Sequence, residues 1–173
     1  GLVSDLLDLS KYENTEFQMI FADVHLSELI EEVVQQMRIK ANKFNVEIAC
    51  NHPDLPVVKA DRDRLKQVLI NILDNAIQYS YAEGVIKVVS ALSQDEESVE
   101  ISIRDFGPGI DPKKKDRIFE AFYRMEEDRS RQAGGSGLGL AISKDIIEKH
   151  HGTISVESQI DEGTLITITL PLS

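Results

Sequence analysis

Apolar positions recur along this chain with two periods, which separate predicted helices from predicted strands. The 3.6-residue period predicts helices over about 2–13, 26–43, 62–80 and 137–150. Alternation and short apolar runs predict strands near 17–22, 46–49, 57–59, 84–92, 98–105, 153–158 and 164–170. Asp111 followed by Pro112 is a typical helix start and predicts a further short helix to about residue 121. Together they predict an α/β fold, a two-layer sandwich in which helices cover one face of a mixed sheet.

The first predicted helix, residues 2–13, is too apolar to stand alone in water. Because it begins with the chain, we expect it to be the end of a longer element whose partner helix lies upstream. The alternative is an N-terminal helix that folds back on its own domain. We therefore divide the chain into residues 1–14, a helical remnant, and residues 15–173, which have the length of one ordinary domain.

Charge and cysteine content narrow the classes of function. The 19 Lys and Arg residues against 30 Asp and Glu residues give a net charge of −11, which argues against nucleic-acid binding and against direct contact with an anionic membrane. Cys50 is the single cysteine, so the chain predicts neither a disulfide framework nor a thiolate zinc site. We expect a cytoplasmic location, Cys50 as a small core residue, and a monomeric fragment.

The predicted helix 62–80 carries a polar edge beside its apolar face. Gln67, Asn71, Asn75 and Gln78 follow one another at steps of four, four and three residues, so their side chains line up. Asparagine costs roughly 0.7 kcal/mol in a helix relative to alanine, which suggests a compensating role. Magnesium accepts amide oxygens as ligands. The alternative is a solvated polar face.

A second block, residues 104–110 (RDFGPGI), directly follows a predicted strand. Pro108 and Gly109 fit the central positions of a type II turn. Asp105 can accept a hydrogen bond from the exocyclic amine of adenine, which guanine lacks at that place. The block could equally be an ordinary strand-ending turn. Its Asp-Phe-Gly tripeptide does not indicate a Ser/Thr/Tyr protein kinase, because the other motifs of those enzymes are missing.

A third block, residues 134–140 (GGSGLGL), precedes the last predicted helix. It fits neither the Rossmann pattern nor the P-loop, but free backbone N–H groups at a helix start favour an anion. The alternative is a flexible linker that caps the helix. The preceding loop, residues 122–136, holds Arg124, Arg129 and Arg131, which could grip phosphate or merely form surface ion pairs with residues 126–128.

The order and spacing of these three blocks resemble the catalytic and ATP-binding domain of two-component sensor histidine kinases, in the superfamily that also holds gyrase and heat-shock chaperone ATPases. The resemblance runs from about Leu2 to Leu172. Its motifs correspond to residues 71–80 (N box), 105–110 (first glycine box), 118–124 (F box), 135–140 (second glycine box) and 163–164 (last glycine motif). It implies the superfamily's sandwich, the Bergerat ATP-binding fold, with residues 122–136 as a lid over the nucleotide.

The resemblance also implies a role for each matching residue. Asn75, helped by Asn71, would bind Mg²⁺, Tyr79 would lie against the adenine, and Asp105 would bind its amine. Thr164 would support adenine recognition through water. The lid arginines would approach the γ-phosphate of ATP, Arg124 above all, which with Asn71 and Asn75 forms the implied catalytic set. The remaining implied nucleotide contacts are Gln78, Gly107, Gly109, Ile110, Arg129, Arg131, Gly135, Ser136, Gly137, Leu138 and Gly139.

The chain departs from the family at two places. The family usually has lysine at position 78, and the uncharged Gln78 should hold the terminal phosphate less firmly. The family's phosphoacceptor histidine, next to an acidic residue on an upstream helix, has no counterpart here. Residues 1–14 then resemble the end of the dimerisation and phosphoacceptor hairpin. Asn71 stands where hydrolysing members of the superfamily have a glutamate base, which favours phosphoryl transfer over hydrolysis.

The resemblance therefore implies a protein-histidine kinase domain that uses ATP and Mg²⁺ and passes the γ-phosphoryl group to a histidine for relay to a response regulator. Its partners would be its own dimerisation domain, a response regulator and, in the full-length protein, a second copy in a homodimer. Full-length relatives are often membrane-anchored. The alternative function is a nucleotide-gated interaction module without phosphotransfer, and a hydrolysing ATPase is disfavoured by Asn71.

Overall fold

A computed structural model of the chain describes residues 18–51, 53–120 and 139–172, apart from the side chain of Asp116. The predicted helix 2–13 and the predicted lid, residues 122–136, lie outside these residues. In chain order the elements are β1 (Ala22–Val24), α1 (Leu26–Lys43), β2 (Glu47–Cys50), β3 (Val58–Ala60), α2 (Arg62–Tyr79), β4 (Val85–Leu92), β5 (Ser98–Asp105), a 3₁₀ helix (Lys115–Phe119), α3 (Gly139–Lys149), β6 (Thr153–Gln159) and β7 (Gly163–Pro171).

Five of the strands form one mixed sheet in the order β2-β4-β5-β7-β6. β2 pairs with β4 in parallel, and the remaining pairs are antiparallel. The central pair, β5 and β7, is in a register that sets Asp105 directly opposite Thr164. Two candidate site residues that are 59 positions apart in sequence therefore become neighbours at one end of the sheet.

Burial alternates along the central strands, so one face of the sheet is covered and the other is open. On β5, Val99, Ile101 and Ile103 are buried, whereas Glu100 and Arg104 are exposed. The buried side chains join those of α1, α2 and α3 in one hydrophobic core. This arrangement confirms the predicted two-layer sandwich with a mixed sheet and helices on one face.

Helix α2 positions much of the candidate site, and its start is set by a side-chain cap. Asp61 has an extended backbone, and its carboxylate accepts the N–H of Arg64 at 3.2 Å. The apolar stripe of the helix is buried from Leu65 to Ile77. Ser80 leaves the helical conformation with ψ of 146° and ends the helix. The predicted bounds of this helix are confirmed to within one residue.

Two predicted elements differ from the structure. The first strand is Ala22–Val24 rather than 17–22, and it pairs with β3 in a separate two-stranded sheet. The helix predicted from Asp111 to about residue 121 is wrong in extent, because the described part forms a 3₁₀ helix only over Lys115–Phe119. Asp111 instead closes a turn, since its side chain and its carbonyl accept the N–H groups of Lys113 and Lys114.

A buried histidine joins the start of α2 to the end of α3. The ring of His150 accepts the backbone N–H of Asp61 through Nε2 at 3.0 Å, and its Nδ1 donates to the carbonyl of Ile146 at 2.8 Å. Asp61 in turn accepts the N–H of Ile20 at 3.0 Å. His150 is 4% exposed and uses both ring nitrogens, so it is a structural residue rather than a phosphoryl acceptor.

Cys50 lies on the edge strand β2, where it is partly buried and packs against the core rather than lying within it as its predicted role as a core residue would require. Burial raises the pKa of its thiol. Among the described residues, no helix is both long enough and apolar enough to span a membrane.

Candidate nucleotide-binding site

The polar edge of α2 faces the start of α3. The side-chain nitrogen of Asn71 donates to the carbonyl of Gly139 at 3.1 Å and lies 3.3 Å from the hydroxyl of Ser143. Because a carbonyl can only accept, these contacts assign the nitrogen end of the amide to α3. The amide oxygen of Asn71 is left as the atom that could bind a cation.

Asn75 lies one turn further along α2 and is partly buried. Its side chain makes no hydrogen bond within the described ranges, so it retains both ends of its amide for a ligand. An oxygen from each of the two asparagines, one turn apart, fits the preference of Mg²⁺ for hard, neutral oxygen ligands. No group of three or more His, Cys, Asp and Glu side chains that could hold a metal occurs among the described residues.

Gln78 belongs to a polar chain that links α1 to α2. Its amide nitrogen donates to one oxygen of Asp74 at 3.3 Å, and Lys40 forms an ion pair with the other oxygen. Lys40 and Asp74 are both partly exposed, so this pair contributes little to stability. A lysine at position 78 would lie beside Asp74 and would compete with Lys40 for its carboxylate.

Asp105 ends β5 and is held as a buried carboxylate, 5% exposed. Its Oδ1 atom accepts the backbone N–H of Gly107 at 3.1 Å and that of Thr164 at 3.2 Å. No donor in the described part of the chain pairs with Oδ2. Desolvation raises the pKa of Asp105, and the two backbone hydrogen bonds oppose that rise. One oxygen therefore organises the backbone, while the other remains available.

The glycines around Asp105 let three segments come into close contact. A Cβ on Gly107 would lie 2.0 Å from the carbonyl oxygen of Tyr79, so only glycine permits this approach of the turn to the end of α2. Gly109 has a φ of +75°, as predicted for the second central position of a type II turn. Phe106 does not join the site, because its ring lies under Arg104 and Lys87.

Ser158 is a residue that the sequence reasoning missed. Its hydroxyl oxygen lies 2.7 Å from the backbone nitrogen of Ile110, 2.9 Å from the carbonyl of Gly163 and 3.0 Å from the hydroxyl of Thr164. It thus ties the first glycine block to the start of β7. Ser158 lies on a short edge strand with no motif of its own, and only the position five residues before Gly163 could have pointed to it.

The described site residues come from four segments of the chain. α2 supplies Asn71, Asn75, Gln78 and Tyr79, and the turn after β5 supplies Asp105 to Ile110. Thr164 comes from β7, and Gly139 from the start of α3. Direct contacts connect these segments: Gly107 with Tyr79, Asp105 with Thr164, and Asn71 with Gly139. The remaining predicted residues, Arg124, Arg129, Arg131, Gly135, Ser136, Gly137 and Leu138, lie outside the described residues.

Comparison with protein-family models identifies the same segment. Residues 60–173 match the family described as histidine kinase-, DNA gyrase B- and HSP90-like ATPase, which covers all the described site elements. The chain belongs to this family. It contains an ATP-binding domain, and within the family its relatives are histidine kinases.

Three of these relatives illustrate the similarity. The chain is 40% identical to the adaptive-response sensory kinase SasA of Gloeothece citriformis over 172 residues, 99% of this chain and 43% of that kinase. A catalytic domain of the histidine kinase ThkA is 36% identical with a TM-score of 0.75, over 89% of this chain and 97% of that one. Full-length ShkA in complex with AMPPNP is 30% identical with a TM-score of 0.87, over 99% of this chain and 35% of that one.

ThkA has also been solved in complex with the response regulator protein TrrA, and that kinase chain is 30% identical with a TM-score of 0.80, over 99% of this chain and 47% of its own. The chain thus spans less than half the length of SasA and of full-length ShkA, but nearly the whole of the ThkA catalytic domain. The expected resemblance to the catalytic, ATP-binding domain of sensor histidine kinases is confirmed.

Proposed function

We propose that this chain is the catalytic domain of a sensor histidine kinase that transfers the γ-phosphoryl group of Mg-ATP to a histidine outside residues 1–173. In that reaction a ring nitrogen of the acceptor histidine forms a bond to the γ-phosphorus while the bond to the bridging oxygen of ADP breaks. Catalysis of this kind depends on positioning and charge neutralisation rather than on a covalent role for the enzyme.

The observation that carries the proposal is the free oxygen of Asp105 in the family's ATP-binding segment. Because Asp105 is buried and fixed through its other oxygen, its free oxygen can accept a hydrogen bond from the exocyclic amine of adenine. Tyr79, whose carbonyl contacts the Gly107 turn, closes the same end of the site.

The amide oxygens of Asn75 and Asn71 would hold Mg²⁺, which supplies charge neutralisation of the phosphates. Asn71 has a second role, because its nitrogen holds the first turn of α3, where backbone N–H groups favour an anion. An amide cannot act as the base that activates water, which favours transfer to histidine over hydrolysis. We also assign Arg124 to the γ-phosphate, with Arg129 and Arg131 as further lid contacts.

We further propose the partners that this reaction needs. The acceptor would lie in the protein's own dimerisation and phosphoacceptor hairpin, of which residues 1–14 would be the end, and the full-length protein would be a homodimer. A response regulator would receive the phosphoryl group, as the complex of ThkA with TrrA suggests by analogy. Since the reaction consumes ATP and the chain is acidic with one cysteine, we place it in the cytoplasm.

The test combines this chain with the helical hairpin encoded directly upstream in the native gene, in the presence of Mg²⁺ and γ-labelled ATP. We expect label on the hairpin that is lost in acid and retained in base, as for a phosphohistidine. Asn75→Ala should abolish the transfer, and Asn42→Ala, an exposed asparagine on another helix, is the matched control. ATP binding without any label on histidine would instead support a nucleotide-gated interaction module.

A further inference from the structure

The hydroxyl of Ser158 is fully used in hydrogen bonding, which fixes the direction of a second hydroxyl. A serine hydroxyl has one proton to donate and two lone pairs to accept with. The carbonyl of Gly163 can only accept, so the bond at 2.9 Å uses the proton of Ser158. The N–H of Ile110 can only donate, so the bond at 2.7 Å uses one lone pair.

The three contacts of Ser158 can be satisfied together in only one way, although either hydroxyl could donate in the third contact taken alone. With its proton already given to Gly163, Ser158 can only accept from the hydroxyl of Thr164, which lies 3.0 Å away. The hydroxyl proton of Thr164 therefore points toward Ser158 and is not available to a ligand. Both remaining lone pairs of the Thr164 oxygen can only accept hydrogen bonds.

Thr164 lies beside the carboxylate proposed to recognise the base. It is opposite Asp105 in the β5–β7 register, and its backbone N–H donates to Oδ1 of Asp105. Both side chains are buried, at 9% and 5% exposure. The purine would therefore meet two neighbouring groups, Asp105 and Thr164, that both accept hydrogen bonds.

We propose that Ser158 is a specificity-determining positioning residue, which keeps the Thr164 hydroxyl as an acceptor and thereby disfavours purine nucleotides with an oxygen at position 6. Adenine presents an amine there and can donate, directly or through water. Guanine and hypoxanthine present a carbonyl oxygen there, which would meet two hydrogen-bond acceptors. If the Thr164 hydroxyl could turn, it could donate to that oxygen. This inference rests on the proposed adenine site.

The test is the preference between nucleotides rather than the affinity for one. We would measure the Kd of Mg-ATP, Mg-GTP and Mg-ITP by calorimetry for the wild-type chain, Ser158→Ala and Ser155→Ala. Ser155 is an exposed serine on the same strand and serves as the matched control. We expect Ser158→Ala to reduce the preference for ATP over GTP and ITP by about tenfold, the scale of one mismatched buried hydrogen bond. Ser155→Ala should keep the wild-type preference.

A double-variant cycle separates this role from a purely structural one. Ser158→Ala also removes the acceptor of the Ile110 N–H and the hydroxyl that donates to the carbonyl of Gly163, which could weaken binding of all three nucleotides equally. In a Thr164→Val background there is no hydroxyl to turn, so adding Ser158→Ala should no longer change the ATP preference. An equal loss for every nucleotide, or the same change in preference with and without the Thr164 hydroxyl, would overturn the inference.

Ser158→Cys provides a variant of similar shape in case the alanine variant does not fold. A thiol donates and accepts only weakly. We therefore expect a partial loss of the ATP preference, and an unchanged preference would count against Ser158. A wild-type chain that binds no adenine nucleotide would overturn the proposed function together with this inference. ATP binding with an unaltered preference in the Ser158 variants would overturn this inference alone.

Discussion

Asp105 is the side chain at which stability and nucleotide recognition can be separated experimentally. Its Oδ1 atom accepts the N–H groups of Gly107 and Thr164, and asparagine offers a carbonyl oxygen for both bonds. Burial raises the pKa of Asp105 above its ordinary value, so the carboxylate charge weakens the folded state at neutral pH. We therefore expect Asp105→Asn to leave the free energy of unfolding at pH 7 unchanged or higher. Any gain should vanish as the pH falls to the ordinary carboxyl pKa.

Asp105→Ala should behave differently, because it leaves two buried N–H groups without an acceptor. At about 1–3 kcal/mol for each unsatisfied donor, we expect a loss of about 2–6 kcal/mol of stability. Both variants should bind ATP more weakly. A hydrogen bond to a charged acceptor contributes about 1.5–3 kcal/mol, which corresponds to an increase in Kd of about 10–150-fold. In the asparagine variant, the amide nitrogen would also oppose the adenine amine.

The assay pairs urea unfolding with calorimetric titration of Mg-ATP at pH 7 on the two variants. Asp111→Asn is the matched control, since its Oδ1 accepts an N–H two residues ahead, as that of Asp105 does, but Asp111 is not among the proposed nucleotide contacts. If Asp105→Asn lost as much stability as Asp105→Ala, the two backbone bonds would not have the described importance. If it bound ATP as the wild type does, Asp105 would not be the group that recognises the base.

Three further perturbations test the packing and charges around the site. Gly107→Ala should lower the melting temperature and weaken ATP binding, because the added Cβ would lie 2.0 Å from the carbonyl oxygen of Tyr79. Gly139→Ala should not lower the melting temperature, because its Cβ would lie 3.6 Å from the side chain of Asn71. Burial lowers the pKa of His150, so the unfolded chain takes up a proton before the folded chain does as the pH falls below about 6.5. The free energy of unfolding should then decline by up to about 1.4 kcal/mol per pH unit until the lowered folded-state pKa is reached. Urea unfolding of His150→Gln should lack this pH-dependent decline. Gln78→Lys should lower the Kd of ATP measured by calorimetry. The decrease should be larger when Asp74→Asn is added, because the Asp74 carboxylate otherwise competes with the phosphate for the lysine charge. An equal or higher Kd in both backgrounds would contradict a role for charge at position 78.

Much of the fold could be predicted from interactions between residues that are close in sequence. The cap at Asp61, the apolar stripe of α2 and the alternation along β5 depend on residues close in sequence, and their predictions are confirmed. The helix expected after Asp111 failed, because the side chain of Asp111 closed a turn instead. The first strand was misplaced since its position depends on pairing with β3, which is distant in sequence.

The sequence by itself determined which chemistry the site could hold. Two asparagines one turn apart, a carboxylate before a glycine turn and a glycine-rich helix start predict a magnesium nucleotide through residue type and spacing, and the family resemblance adds Thr164. The roles of those residues in nucleotide binding remain predictions, and the structure shows how the described ones are arranged relative to one another. Even the left-handed backbone of Gly109 was predictable, because a Pro-Gly pair restricts the local turn.

Only the tertiary structure decided how these groups are held. Three contacts join segments more than forty residues apart in sequence. Asn71 donates to the carbonyl of Gly139, one oxygen of Asp105 accepts the N–H of Thr164, and the hydroxyl of Ser158 accepts the N–H of Ile110. A hydrogen bond has a direction and a limited number of partners, and neither can be known until the partners are in place. Spacing along a chain therefore predicts which groups are present, while sheet register and helix packing decide which atoms of those groups remain free for a ligand.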